Sequence, residues 1–220
     1  IKRVGKWLIF ELDNYYSLSH LRMEGKYFIK DTSEVKAKHE HVIIHFEDKT
    51  DLRYHDTRKF GRMKIIPQDE LNETEEIKKQ GFEPGSSNLT GGYLVNKFKG
   101  KKEPIKTALL DQTIISGLGN IYADEVLFAS GIYPERSANS ITLEEANKIV
   151  LASARIIKKA MELGGTTIRS YTSSLGVTGH YQDYLCVHKQ EGCPCKTCKS
   201  PIVRIKVGGR STYYCPKCQK

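Results

Sequence analysis

The chain has 220 residues, with 35 Lys and Arg against 26 Asp and Glu for a formal net charge of +9, and is 39% hydrophobic with six cysteines. That length provides for one or two domains with real cores, and the apolar fraction together with 12 Tyr excludes a disordered chain. No run approaches the roughly 18 apolar residues of a membrane helix. The basic-then-apolar opening is broken by Glu11, too early for a signal peptide, so no membrane partner is expected.

The N-terminal part reads as sheet. Residues 7–12 and 15–23 are strand-like runs joined at Asp13-Asn14, a turn signal. Residues 41–46 and 50–54 flank Glu47-Asp48-Lys49 as a second hairpin, and residues 27–29 and 63–66 add edge strands. Short strands with turn signals and no helical period predict an antiparallel sandwich or barrel half. Residues 67–92 hold Pro67, Pro84, Gly85, Ser86, Ser87, Gly91 and Gly92, which reads as a linker around a short helix.

The middle is helical. Residues 104–115 form one helix, followed by the turn Ser116-Gly117-Leu118-Gly119, with Asn120 as N-cap of a helix over 121–130 that Gly131 closes. Thr142 and Glu145 make a capping box for a long helix with Ala146, Ile149, Val150, Ser153, Ile156, Ile157 and Ala160 at helical spacing, stopped by Gly164-Gly165. A glycine-rich turn entering a helix exposes backbone N–H groups at a positive dipole end, a ready phosphate site.

The charge is concentrated at the end. Residues 186–220 carry eight Lys and Arg against one Glu, a net +7 of the chain's +9. Such concentration in one small unit points to a polyanion partner, nucleic acid first. All six cysteines lie there too. Cys195/Cys198 and Cys215/Cys218 are two Cys-x2-Cys knuckles separated by 16 residues. Two such pairs complete a tetrahedral Zn²⁺ shell, which this spacing favours over a disulfide framework. Cys186 and Cys193 read as free thiols. Between the knuckles, residues 201–206 and 211–214 form a β-hairpin around Gly208-Gly209. Its tip projects roughly 16 Å from the metal at ~3.3 Å per residue, so the zinc is structural and Arg210, at the tip, is placed to meet a phosphate or an active site.

Four groups of residues in order then carry a resemblance that covers essentially the whole chain. They are His20-Leu21-Arg22-Met23 with the run 53–61; Asp111-Gln112 with Gly117-Leu118-Gly119-Asn120-Ile121-Tyr122 and Asp124-Glu125; Gly164-Gly165-Thr166 opening toward Gly176 and Gly179; and the cysteine hairpin with Gly209-Arg210. The chain resembles the formamidopyrimidine-DNA glycosylase family in its DNA-probing strands, helix–two-turn–helix motif, lesion-capping loop and zinc finger. It departs at Val187-His188-Lys189-Gln190, where the family has a Val-Tyr-Gly-Arg-like run, and it lacks the family's N-terminal Pro and Glu.

The resemblance implies an α+β protein: an incomplete N-terminal antiparallel β-sandwich (1–66), a linker (67–92), a helix–two-turn–helix domain with the capping loop (93–185) and a C-terminal β-hairpin zinc finger (186–220). It implies a monomeric, cytoplasmic, nucleoid-associated bacterial repair enzyme with one structural Zn²⁺. Such an enzyme removes oxidised purines (formamidopyrimidine, 8-oxoguanine) from duplex DNA and nicks the abasic site by β,δ-elimination. By the same resemblance Lys6 donates a proton in β-elimination and Arg210 serves δ-elimination. An always-protonated guanidinium suits the second role as a stabiliser of the leaving phosphate. His39, Arg58 and Lys101 match DNA-contacting positions, and Lys106 and Asn120 match phosphate-binding groups near the lesion. Met23, Arg58 and Phe60 match the residues that fill the gap left by the everted base, with Arg58 and Phe60 expected on one strand face. The family's attacking group is a terminal α-amine, whose pKa of ~8 leaves it substantially neutral where a lysine near ~10.4 is charged. Ile1, mid-strand by pattern, is a poor substitute, so the chain reads as N-terminally truncated and inactive alone. Two alternatives stay open: a non-catalytic zinc-finger DNA-binding protein, and a relative acting on oxidised pyrimidines.

Overall fold

Alternating burial along the first strands builds a two-layered sheet unit. In the computed structural model, which describes residues 1–166 and 179–220, strands β1 (Lys2–Val4), β2 (Trp7–Glu11), β3 (Tyr15–His20) and β7 (Arg62–Pro67) form one antiparallel sheet in the order β1-β2-β3-β7. Strands β4 (Lys26–Asp31), β5 (Glu40–His45) and β6 (Thr50–His55) form a second, ordered β4-β6-β5. Trp7, Ile9, Tyr16, Leu18 and Ile66 project from one face of the first sheet. Leu71, from a 3₁₀ turn over Gln68–Glu73, and Ile77, from the short helix α1 (Glu75–Lys78), pack against them. The opposite face meets the second sheet. There the Tyr27 hydroxyl donates to Ser19 Oγ at 2.8 Å and the Tyr27 ring packs edge-on against Phe10.

The other face of the second sheet is held by charge. Arg53 is 2% exposed and pairs with Glu40 at 3.2 Å and Asp51 at 2.9 Å, also donating to the carbonyls of Asp31 and Glu34. Ile1, expected mid-strand, precedes β1 and is exposed.

Residues Ile1–Lys78 with Gly164–His180 make this unit, and Lys79–Leu163 with Tyr181–Lys220 make a second. The second unit contains α2 (Gly91–Phe98), α3 (Ile105–Leu110), α4 (Asn120–Ser130), α5 (Leu143–Glu162) and the hairpin β8 (Val203–Val207) and β9 (Arg210–Tyr214). Its core gathers Leu94, Phe98, Leu109, Leu118, Leu127 and Ile149. The capping box of Thr142 and Glu145 forms as expected.

Three expectations change. Gly91-Gly92, read as linker, open α2 under a Thr90 cap. A Cβ at Gly91 would lie 2.1 Å from Asn147 Oδ1, so glycine there admits α5 rather than loosening the chain. Helix α3 stops at Leu110 instead of 115, because the Asp111 carboxylate reaches forward to accept the Thr113 N–H and hydroxyl. Helix α4 begins at Asn120 itself, with Gly119 in the N-cap position. Among the described residues, no helix is long and apolar enough to cross a membrane.

Candidate nucleic-acid interface and metal centre

In the first unit, the loop after β6 is folded around one buried carboxylate. Asp56 Oδ1 accepts the Arg58 N–H at 3.0 Å, while Oδ2 accepts the Gly61 N–H at 2.9 Å and the Tyr54 hydroxyl at 3.0 Å. The Asp56 N–H donates to the His39 carbonyl, and His41 Nε2 donates to the Asp56 carbonyl. Burial disfavours the charged Asp56, yet the donors from Gly61, Tyr54, Arg58 and Lys59 outweigh it and hold the carboxyl below its ordinary value. Lys59 takes a left-handed backbone with φ 56° to complete the turn.

This loop presents Arg58 and Phe60. The guanidinium carbon of Arg58 lies 4.7 Å from the Phe60 ring centroid, and Nη1 donates to Met23 Sδ at 3.4 Å. Met23 is 69% and Phe60 52% exposed, which rules out core packing for both. The expected common strand face is not what joins Arg58 and Phe60. Both lie beyond the end of β6, and Asp56 brings them together.

Lys6 is exposed in the turn between β1 and β2, after Gly5 with φ 58°. At the end of β3, partial burial pushes the His20 pKa down to about 4, helped by the charges of Arg22, Lys6 and Arg62. One neutral imidazole thus sits amid three cations. His20 Nδ1 accepts the Arg22 N–H at 3.0 Å, and its ring packs edge-on against Trp7. His39 is half-buried with its ring edge-on to His55.

In the second unit, Gly208 and Gly209 both take positive φ, 54° and 77°, making the two-residue turn that leaves Arg210 at the hairpin tip. Beside it, Glu103, Thr107, Leu110, Asp111, Val207 and Arg210 line a cleft of about 320 Å³. Lys106 does not reach this surface. It is fully buried on α3, 2.6 Å from Asp124 Oδ1, and donates to Thr212 Oγ1 at 2.8 Å and the Ser211 carbonyl at 3.1 Å. The expectation that Lys106 binds a phosphate is therefore corrected: its ammonium is enclosed by hairpin and helix. Burial pushes its pKa down, with Asp124 opposing and the Arg210 charge adding to the depression. Asn120 is half-buried and donates one amide hydrogen to the Ser211 carbonyl at 3.2 Å. Lys101, at the surface, lies 3.5 Å from Glu103.

The four expected metal ligands converge. The Sγ atoms of Cys195, Cys198, Cys215 and Cys218 all lie within 4.8 Å of one another, with Cys198 and Cys215 at 3.3 Å and Cys195 and Cys218 at 3.9 Å. Four sulfurs at ~2.3 Å from a Zn²⁺ would stand about 3.8 Å apart, so the set fits that ion. Ser200, through its hydroxyl and its backbone N–H, pulls the Cys198 thiol down, while burial pushes Cys215 and Cys218 up. Val187, Ile202 and Tyr213 pack round the buried Cys195 and Cys215.

Residues 1–63 match the pattern of the formamidopyrimidine-DNA glycosylase N-terminal domain, 80–172 that of its H2TH domain, and 192–220 the zinc finger found in FPG and IleRS. A Listeria innocua formamidopyrimidine-DNA glycosylase is 47% identical over 220 residues, a match that takes in the whole chain and 81% of the relative. The chain belongs to the formamidopyrimidine-DNA glycosylase family.

The Bacillus licheniformis member is likewise 47% identical over 221 residues, covering 80% of that protein. Among solved structures of the family, a Lactococcus lactis FPG mutant bound to Fapy-dG-containing DNA superposes with TM-score 0.93 at 39% identity. The Lactococcus lactis Fpg bound to abasic-site DNA gives 0.92 at 40%; each match covers this whole chain and 80% of the other. With the finger's family match and the sulfur geometry, the four cysteines make a structural zinc site. The expected capping loop falls on residues 167–178, outside the described residues. At its ends, a Cβ on Gly179 would lie 2.3 Å from the Gly165 carbonyl oxygen.

Sequence reading missed the groups that hold these family residues in place: Asp56 and Tyr54 behind Arg58 and Phe60, and Asp124, His188 and Thr212 behind the hairpin. The signal for Asp56 was a carboxylate two positions before Arg58 and five before Gly61, the spacing of a side chain that closes a turn.

Proposed function

We propose that the protein acts in base-excision repair, releasing oxidised purines such as formamidopyrimidine and 8-oxoguanine from duplex DNA and opening the resulting abasic site by β,δ-elimination. The single observation that carries this reading is the exposed Met23–Arg58–Phe60 cluster, built by a family member on a loop locked by a buried carboxylate. Everting a base leaves a stacking void and an orphaned partner; two apolar side chains fill the first and a guanidinium hydrogen-bonds the second. The face of the Phe60 ring adds an electrostatic hold on the Arg58 guanidinium above it.

The remaining roles divide between the two units. Lys6, in its cationic cluster, is the proton donor at the sugar, and Arg210 stabilises the leaving phosphate from the finger tip. His39, Lys101 and the Asn120 side-chain amide meet the DNA backbone. Residues 1–66 serve as the sandwich domain, 91–163 as the helical domain and 186–220 as the finger. With duplex DNA as its substrate, the protein would act in the bacterial cytoplasm, at the nucleoid.

The test is fluorescence anisotropy with duplexes carrying a central formamidopyrimidine, 8-oxoguanine, an oxidised pyrimidine or no lesion. Preference for the purine lesions supports the reading, and equal affinity for all four overturns it. Gel analysis of the same duplexes reads the chemistry, 3′-phosphate ends marking β,δ-elimination. A strand left intact at saturation reduces these 220 residues to recognition without chemistry.

A further inference from the structure

Arg210 stands at the end of a short hairpin whose turn consists of two glycines. A chain of buried polar groups lies directly behind it. His188 Nδ1 donates to Asp124 Oδ2 at 2.7 Å, and Asp124 Oδ1 holds the Lys106 ammonium at 2.6 Å. Lys106 Nζ donates to Thr212 Oγ1 at 2.8 Å, and the Thr212 hydroxyl donates onward to the Arg210 carbonyl at 3.1 Å. Lys106 and Asn120 both donate to the Ser211 carbonyl as well. Lys106, Asp124 and Thr212 are at most 1% exposed and His188 is 5% exposed. The His188 ring also packs edge-on against Tyr213, the residue after Thr212.

We propose that Thr212 and Lys106 are positioning residues for Arg210, fixing the finger tip through the relay Lys106 Nζ to Thr212 Oγ1 to the Arg210 carbonyl. The chemistry favours this over a purely structural ion pair. A buried Lys–Asp pair needs nothing beyond itself and satisfied hydrogen bonds. Here Lys106 directs two of its three N–H groups to consecutive residues of β9, and the hydroxyl it meets carries the contact on to the tip residue. Lysine presents three donors on a stem, so it clamps two acceptors while keeping its counter-ion. Asp124 sets Lys106, and His188 sets Asp124. Pre-ordering the tip removes an entropy cost that a free hairpin would meet on binding phosphate. The inference rests on the reading that Arg210 meets DNA phosphate.

Thr212→Val keeps the shape and removes only the hydroxyl, so it isolates the relay. The 220-residue chain is titrated with a duplex bearing a single tetrahydrofuran abasic analogue at several salt concentrations, as wild type, Thr212→Val, Thr212→Ser, Arg210→Ala and the Arg210→Ala/Thr212→Val double variant. Thr212→Val should weaken binding about 3- to 10-fold and lower the salt slope by about 0.9, the amount one phosphate contact contributes. Thr212→Ser should restore both, and Thr212→Val should add nothing in the Arg210→Ala background, as coupled sites require. Zinc content and melting temperature are read for each variant. If Thr212→Val loses either, Thr212→Ala carries the same comparison. Wild-type binding by the hydroxyl-less variant, or an equal loss with and without Arg210, overturns the positioning role while leaving Arg210 in place. An Arg210→Ala variant with unchanged affinity and slope overturns the reading of Arg210 itself, and the inference with it.

Discussion

Asp56 Oδ2 accepts the backbone N–H of Gly61 at 2.9 Å, so one carboxylate closes the loop that carries Arg58 and Phe60 between its ends. The same carboxylate takes the Arg58 N–H and the Tyr54 hydroxyl. Asp56→Asn offers one acceptor oxygen where the loop needs two, and turns a donor toward donors. It should cost the first unit about 1–3 kcal/mol, the penalty for buried donors left unpaired, measured by urea denaturation.

The pH dependence of that loop has a definite sign. The folded Asp56 carboxyl lies below its ordinary 3.8, so its stabilisation is full above that value and is lost as pH falls through the depressed folded pKa. Hydrogen exchange at the Gly61 amide should therefore stay slow from neutral pH to about 4 and quicken only below it. Protection lost already at pH 6 would count against the arrangement.

Gly61 has no room for a side chain. A Cβ there would stand 1.7 Å from the Tyr54 hydroxyl oxygen, and Tyr54 would have to move off Asp56. Gly61→Ala should destabilise the unit by about 1–3 kcal/mol and weaken lesion binding, whereas Gly61→Ala with Tyr54→Phe should recover part of both. Identical melting curves for wild type and Gly61→Ala would contradict the contact.

Phe60 is half exposed and is not part of the buried core of the first unit. Phe60→Ala should leave thermal stability within about 0.5 kcal/mol of wild type. Affinity for an abasic duplex should fall by about 1–3 kcal/mol, the value of one base-sized stacking contact, with little change for undamaged DNA. Anisotropy titrations of the two duplexes decide this.

His20 reports on the cations around it. Its folded pKa of about 4 lies below the unfolded 6.5, so the neutral ring stabilises the fold above pH 6.5, and that contribution is lost as pH falls toward 4. The imidazole NMR titration should have its midpoint near 4, and Lys6→Met or Arg22→Met should raise it. A midpoint insensitive to both would remove Lys6 from the cluster.

The zinc site should separate the two units. Chelation, or Cys215→Ser, should abolish DNA binding by releasing the hairpin while the β-sheet signal of the first unit survives in circular dichroism. Binding that persists without metal would sink the finger's role.

Much of this protein is legible along the chain because the deciding geometry is local. The Cys-x2-Cys knuckles, the Gly208-Gly209 turn and the Thr142–Glu145 capping box each involve residues a few positions apart, where bond geometry sets what can meet. Helix α3 shows where local reading stops. Its apolar pattern continues to Ile115, but Asp111 ends it through hydrogen bonds that compete with the helix.

Residue types and spacing alone determined the zinc ligands, the sheet-then-helix order and the family to which the chain belongs. Tertiary structure alone decided that Lys106 is an interior clamp and that Arg58 meets Phe60 and Met23 in a loop. The reason is burial. Whether a lysine faces water or a carboxylate depends on what packs over it, and the partners of Lys106 on β9 stand 105 and 106 residues further along the chain.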